Sequence, residues 1–231
     1  MAKQIYFVTG TDTGVGKTVI SAGLLALGGQ AGLRTLAIKP VASGCERTDE
    51  GLRNEDALHL QANITQSMSY DQINPVTLEP AIAPHVAAMQ AGKPLSAERL
   101  AGFCRGVMMQ PGDLMIVEGA GGWRVPLNER ETYADLPRIL ELPVILVVDL
   151  RLGCINHAML SAEAVRADGL RLAGWVANRC SQDPMSNEDE TLAYLRGHLG
   201  APCLGVVPWL AHRSGMPPGE AVARHLALPP V

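Results

Sequence analysis

The chain has 231 residues, 47% hydrophobic and 18% charged, which is enough apolar content for a substantial core and a length at which an α/β protein often stays one domain. A net charge of −4 and an isoelectric point of about 5.9 supply no broad positive field, which argues against nucleic acid and anionic membranes as partners. The five cysteines, Cys45, Cys104, Cys154, Cys180 and Cys203, form no C-x-x-C pair and fit neither a zinc site nor a disulfide framework. The opening MAKQIYFVTG lacks the apolar region of a secretory signal, and no stretch reaches the roughly 20 apolar residues of a membrane span, so the expected location is the cytoplasm.

Along the chain, short apolar runs alternate with helical patterns. Strands are expected at 5–10 (IYFVTG), 34–40 (RTLAIKP), 113–119 (DLMIVEG), 143–150 (PVILVVDL), 172–178 (LAGWVAN) and 203–208 (CLGVVP). Helices are expected at 16–30, 96–109, 155–167 and 187–199. Most of the strand runs are continuously apolar, as strands covered by helices on both faces must be, which predicts a three-layer, doubly wound, mainly parallel sheet. The stretch 41–95 is rich in Pro, Asn, Gln and Ser and reads as long loops with short helices, including NEDALHLQ (54–61) and HVAAMQAG (85–92). No repeat or linker divides the chain, so residues 1–231 are expected to form one domain.

The first expected strand runs into GTDTGVGKT, residues 10–18, and then into a helix. This is the context of a phosphate-binding P-loop, although five residues instead of four separate Gly10 from Gly16. Backbone N–H groups of Gly14, Val15, Gly16 and Val19 and the helix start would face the phosphates, Lys17 would reach the β and γ oxygens, and the Thr18 hydroxyl would ligate Mg²⁺. The fold expected from this loop is that of the P-loop nucleoside triphosphatases.

In open parallel sheets ligands gather outside the carboxyl ends of the strands. There the third strand is expected to end in Glu118, followed by Gly119, Ala120 and Gly121, a placement suited to Mg²⁺ and to close approach of backbone to a nucleotide. Asp56, in RNEDALH, is a further Mg²⁺ candidate that reads equally as a helix-start acid. The second strand is expected to end in Lys39, held extended by Pro40 and followed by Ser43 and Gly44, bringing a second ammonium group to the same edge.

Taken together, GTDTGVGKT, KPVASG (39–44), GLRNEDAL (51–58), NPVTLEPAIAPH (74–85), VEGAGGW (117–123), LPVILVV (142–148), LGCINHAML (152–160), LAGWVAN (172–178) and VPWLA (207–211) resemble the dethiobiotin synthetases. The resemblance spans nearly the whole chain, and the longer phosphate loop is itself a mark of that family. It implies ATP- and Mg²⁺-dependent carboxylation and ring closure of 7,8-diaminopelargonate with CO₂, through a carbamate and a carbamic-phosphoric anhydride. By resemblance Lys39 is catalytic with Lys17 sharing charge stabilisation, Thr13 and Ser43 contact substrate, and Thr18, Asp56 and Glu118 surround Mg²⁺. Asn178 would read the adenine edge, Arg179 follows it at the nucleotide, and Pro208, Trp209 and Leu210 would border the base. Cys154, Ile155 and Asn156 would begin a helix that completes the neighbouring subunit's site, implying a homodimer; from the residues alone Asn156 reads equally as a helix cap and His157 as an ordinary helix residue.

Three positions depart from that pattern. Gly14 stands where an acidic residue often occurs, Arg179 where one can occur, and His212 where Glu is expected. A ParA- or MinD-like ATPase switch, which acts by binding partners, would carry a lysine where this loop has Asp12, and GEAVARHLALPPV at 219–231 has too few cations for a membrane-targeting helix. The cobyrinate amidation synthases have a similar first domain but need a glutamine-hydrolysing domain, for which the given sequence has no room.

Overall fold

In chain order the elements are β1 (Gln4–Gly10), α1 (Lys17–Gln30), β2 (Thr35–Ile38), β3 (Val41–Ser43), β4 (Glu46–Thr48), β5 (Gly51–Arg53), α2 (Glu55–Asn63) and α3 (Tyr70–Ile73). They continue with β6 (Val76–Leu78), α4 (Pro84–Gln90), α5 (Ala97–Met108), β7 (Leu114–Gly122), α6 (Asp135–Ile139) and β8 (Val144–Asp149). The last are α7 (Cys154–Ala167), β9 (Leu172–Asn178), α8 (Glu188–His198), β10 (Cys203–Val207) and α9 (Gly219–Ala223). These come from a computed structural model that describes residues 3–210 and 216–230.

Six strands form the central sheet in the order β10-β9-β8-β1-β7-β2, and all its pairings are parallel. From β1 the chain moves outward to β2 on one side and later fills β8, β9 and β10 on the other. The edge beside β1 is therefore the switch point at which such sheets open a ligand crevice. Strands β2 and β9 are buried at every residue, as expected for a sheet with helices on both faces. Helix α1 packs against the sheet and against α2 and α9, which explains an apolar sequence with little one-sided character.

The core runs through both faces of the sheet, with Trp175, Ile20, Leu25 and Leu36 fully buried. Phe7 lies between Trp123 and Tyr133, each with ring centroids 6.1 Å from it, so the segment after β7 folds back over β1.

Two expectations need correction. The second strand stops at Ile38, because the chain turns at Lys39 and Pro40 and enters β3, which pairs with β6 in a separate two-stranded sheet. The third strand does not end at Glu118 but continues through the glycines to Gly122, pairing Gly10 with Gly122. Glycines lack side chains to clash there, so the ladder extends and Glu118 is buried within the strand. The stretch 41–95 carries α2, α3 and α4 as short helices, but also β3, β6 and the β4–β5 hairpin, which its polar composition concealed.

Candidate active site

The loop between β1 and α1 is held from three sides. The Thr11 N–H donates to Val147 O of β8 at 3.0 Å, the Asn178 amide at the end of β9 donates to Val15 O at 3.0 Å, and Lys17 Nζ donates to Asp12 O at 3.1 Å. Arg151, after β8, lies 3.5 Å from Asp12 and 3.4 Å from Asp149. Gly16 caps α1 at φ 88°, a left-handed conformation that points the following N–H groups into the loop.

Behind this loop four ionisable groups meet. Glu118 has no solvent exposure; its Oε1 accepts from Thr18 Oγ1 and from Lys39 Nζ, both at 2.8 Å. Lys39 Nζ also lies 2.8 Å from Asp56 Oδ2, so one buried ammonium bridges two carboxylates. Burial disfavours the charged form of Lys39, but Glu118 and Asp56 outweigh it and hold its pKa above the usual lysine value. Asp56 answers in kind: burial pushes it up, and the Lys39 ammonium with the Thr18 hydroxyl more than reverses this, leaving it below the ordinary range.

Lys17 is tuned the other way. Burial, then repulsion from Lys39, lowers it from 10.5 to about 8. In the folded chain the charged form is thus penalised below pH 8. As pH rises from 8 to 10.5 the unfolded chain carries the extra proton, so this penalty on stability is relieved. Phosphate oxygens beside Nζ restore the ammonium, so ATP binding should take up protons above about pH 8 and weaken as pH rises further. Calorimetry at about pH 8.5 in two buffers of different ionisation enthalpy reads this as a proton number above zero; a value of zero would contradict it.

The donor set fits a hard divalent cation. Thr18, Asp56 and Glu118 offer oxygen ligands only, and Glu118 Oε2 is buried with no hydrogen-bond partner, an acceptor that Mg²⁺ or its water would satisfy. Ser43 Oγ, at the end of β3, is likewise buried without a partner. On the other side of the loop a cavity of about 170 Å³ lies between Gly16, Asn178, Val207, Pro208 and Trp209, with Met216 and Pro217 at its rim. A wider cleft of about 550 Å³, between Arg138 and Arg171, opens at the opposite end of β8 and contains none of these groups.

A family model described as an AAA domain matches residues 4–216. The chain is 63% identical to the ATP-dependent dethiobiotin synthetase BioD of Marinobacter nauticus, over 100% of this chain and 99% of that protein. The chain belongs to the dethiobiotin synthetase family. It is also 56% identical to the BioD of Cellvibrio japonicus, over 100% of this chain and 99% of that one. Among solved structures, MinD of Pyrococcus horikoshii complexed with Mg-ADP aligns with a TM-score of 0.56 at 19% identity, covering 90% of this chain and 82% of that one. A ParA family ATPase from Chlorobium tepidum aligns at 0.55 and 14%, covering 90% and 86%. At such identities these two likenesses establish the P-loop nucleoside triphosphatase fold alone.

Seen from the family, the structure brings Lys17, Thr18, Lys39, Asp56 and Glu118 together and sets Thr13 beside Gly121, whose added Cβ would lie 3.4 Å from the Thr13 hydroxyl. Other expected site residues make bonds within the protein. Asn178 spends its amide N–H₂ on Val15 O and Cys180 Sγ, so only its carbonyl side is left for a base. Arg179 forms a bidentate pair with Glu188, at 3.2 and 2.5 Å, and also lines the cavity beside Asn178. Asn156 is no cap: α7 begins at Cys154 on a Gly153 cap, placing Asn156 inside the first turn. His212 lies outside the described residues. Gly14 has φ 76° with open space around a would-be Cβ, so Gly14→Glu meets backbone strain but no clash. We expect this variant to change kcat less than tenfold in a steady-state assay; a tenfold gain would make a loop carboxylate part of the chemistry.

Sequence reading missed Asn54, Tyr70, Asn74 and Arg151, all of which touch backbone or side chains of the site. Only Asn54 had a local signal, as a cap before an acidic first turn.

Proposed function

We propose that the chain catalyses the ATP-dependent closure of a cyclic urea, converting 7,8-diaminopelargonate and CO₂ to dethiobiotin with release of ADP and phosphate. The observation that carries this reading is identity of 63% to a dethiobiotin synthetase across the full length of both chains. CO₂ adds to one substrate amine as a carbamate. A carbamate oxygen then attacks the γ-phosphorus and the β–γ oxygen leaves with ADP; the neighbouring amine attacks the carbonyl carbon, expelling phosphate and closing the ring.

The phosphoryl-transfer step sets an anionic carbamate against an anionic phosphate, so the protein's part is positioning and electrostatics. Lys17 and the loop N–H groups hold the phosphates. Lys39, fixed by Glu118 and Asp56, faces the carbamate and the transferring group, while the hydroxyls of Ser43 and Thr13 orient the diamine. Thr18, Asp56 and Glu118 would hold Mg²⁺, whose charge lowers the repulsion between phosphate and carbamate. The cavity beside Pro208, Trp209 and Leu210 takes the base.

One domain, residues 1–231, acts in the cytoplasm as a homodimer. Among the described residues no helix is long and apolar enough to cross a membrane. An interface at the α7 start is favoured by Leu152 and Leu160, 90% and 57% exposed on the turn entering α7 and on α7 itself. There Ile155 and Asn156 would offer helix N–H groups to the substrate carboxylate in the partner's site, beside Cys154, whose own N–H donates to Arg151 O at 3.0 Å. Sedimentation of active protein should read a dimer, and a fully active monomer would contradict this. The reaction is tested by phosphate release: ADP and phosphate should form one for one with cyclic urea and only with both diamine and bicarbonate. ATP hydrolysis stimulated by a protein partner without diamine would favour a switch instead.

A further inference from the structure

Lys39 and Asp56 lie on different segments, the turn after β2 and the first turn of α2, and neither segment belongs to a strand of the central sheet. Packing of α2 on α1 and β2 sets the coarse position of Asp56, and the chain between the two residues adds a direct link across their 2.8 Å separation. That link is a buried run of hydrogen bonds through α3. Asn74 Nδ2 donates to Lys39 O at 2.8 Å, and Asn74 Oδ1 accepts from the Tyr70 hydroxyl at 3.0 Å. The same hydroxyl accepts from the backbone N–H of Asn54 at 2.7 Å.

Asn54 caps α2 through Ala57 N and stands two residues before Asp56; its amide also reaches Ser43 O at 3.4 Å. Asn54, Tyr70 and Asn74 are at most 8% exposed. The Lys39 N–H adds a bond to Ile73 O at 2.7 Å, so α3 holds the Lys39 peptide on both sides. Arg53 stacks on the Tyr70 ring with its guanidinium carbon 4.3 Å from the centroid, fixing the ring independently of the hydroxyl.

We propose that Tyr70 and Asn74 are positioning residues that set the separation of Lys39 and Asp56, so that the lysine faces the transferring phosphoryl group while the carboxylate stays on the nucleotide side. Neither touches reacting atoms; they act through the Lys39 carbonyl and the start of α2. Every buried polar atom in the run has a partner within it, and deleting one hydroxyl strands two. A misplacement on the order of 1 Å suffices to slow a reaction whose catalysis is mostly positioning, by up to about a hundredfold.

The inference rests on the proposed ring closure, and its test separates the two. Tyr70→Phe keeps the ring and its Arg53 contact but removes the hydroxyl, and should lower kcat about tenfold or more while the KM for ATP changes less than about threefold. In a double-mutant cycle the same change made in an Asp56→Asn background should cost less than about threefold, because the carboxylate it positions is gone. Equal losses in both backgrounds would show a merely structural tyrosine and overturn the proposal. Asn74→Ala, breaking the run at its other link, should give the same pattern. A crystal structure of Tyr70→Phe needs no substrate: it should show Lys39 Nζ and Asp56 Oδ2 more than about 4 Å apart. An unchanged separation would overturn the positioning role, whereas a wider one in a protein that forms no urea would overturn only the reaction.

Discussion

Replacing Lys39 by Gln should lower kcat about a thousandfold or more, with a much smaller change in the KM for ATP. The lysine is the cation in contact with both Glu118 and Asp56, and in the proposed reaction it faces the carbamate and the γ-phosphate. Gln retains a donor for Glu118 but no charge, so the repulsion between two anionic reactants returns while the phosphate loop and base cavity remain. Stability should fall too, because Glu118 is fully buried and loses its counter-charge. A cost of about 2–3 kcal/mol corresponds to a Tm lower by roughly 5–10 °C. Steady-state kinetics with thermal melting reads both quantities. Activity within tenfold of the parent, with an unchanged Tm, would show that Lys39 is neither the charge partner nor the catalytic cation.

Gly16→Ala should abolish productive ATP binding, raising the KM for ATP about a hundredfold. Gly16 holds φ 88°, where an alanine costs about 1–2 kcal/mol, and its Cβ would collide with Asn178 Nδ2. That nitrogen cannot step aside freely, because it is bonded to Val15 O within the same loop. Relief of the clash breaks the tie between β9 and the loop and displaces a residue that lines the cavity beside Trp209. Gly14 provides the internal contrast, with the same sign of φ but no neighbour within 4 Å. Calorimetric titration of both alanine variants with ATP should show a severe loss for Gly16 and a mild one for Gly14. Equal effects would mean that strain alone, and not the Asn178 contact, governs the position.

The features legible in the sequence were those with a local or periodic cause. The strand before GTDTGVGKT, the helix after it and the continuously apolar strands follow from burial of a parallel sheet on both faces, and β8, β9 and α7 lie within a residue or two of their expected bounds. Lys39 and Glu118 stood out because each follows an apolar run. Yet Glu118 is not a strand end facing solvent: the ladder runs on to Gly122, and the carboxylate is buried against Lys39.

What escaped was set by contacts distant in sequence. Tyr70 and Asn74 look like ordinary loop residues, and their importance comes from bonds to Asn54 and Lys39, 16 and 35 residues away. Asn178 was singled out only through the family resemblance, and its commitment to Val15, 163 residues earlier, had no signal in the sequence. The β3–β6 pairing was hidden for the same reason, since three-residue strands leave no periodicity to read.

In the proposed reaction a buried ammonium, held between two carboxylates beside the phosphate loop, promotes the closure of a urea from CO₂ and a diamine. Incubating the purified protein with labelled bicarbonate, 7,8-diaminopelargonate and Mg·ATP, alongside the Lys39→Gln variant, tests it most directly. Label should appear in dethiobiotin with the parent enzyme and fall about a thousandfold or more with the variant. No labelled urea from the parent protein would contradict the assigned reaction, and undiminished label from the variant would contradict the role of Lys39.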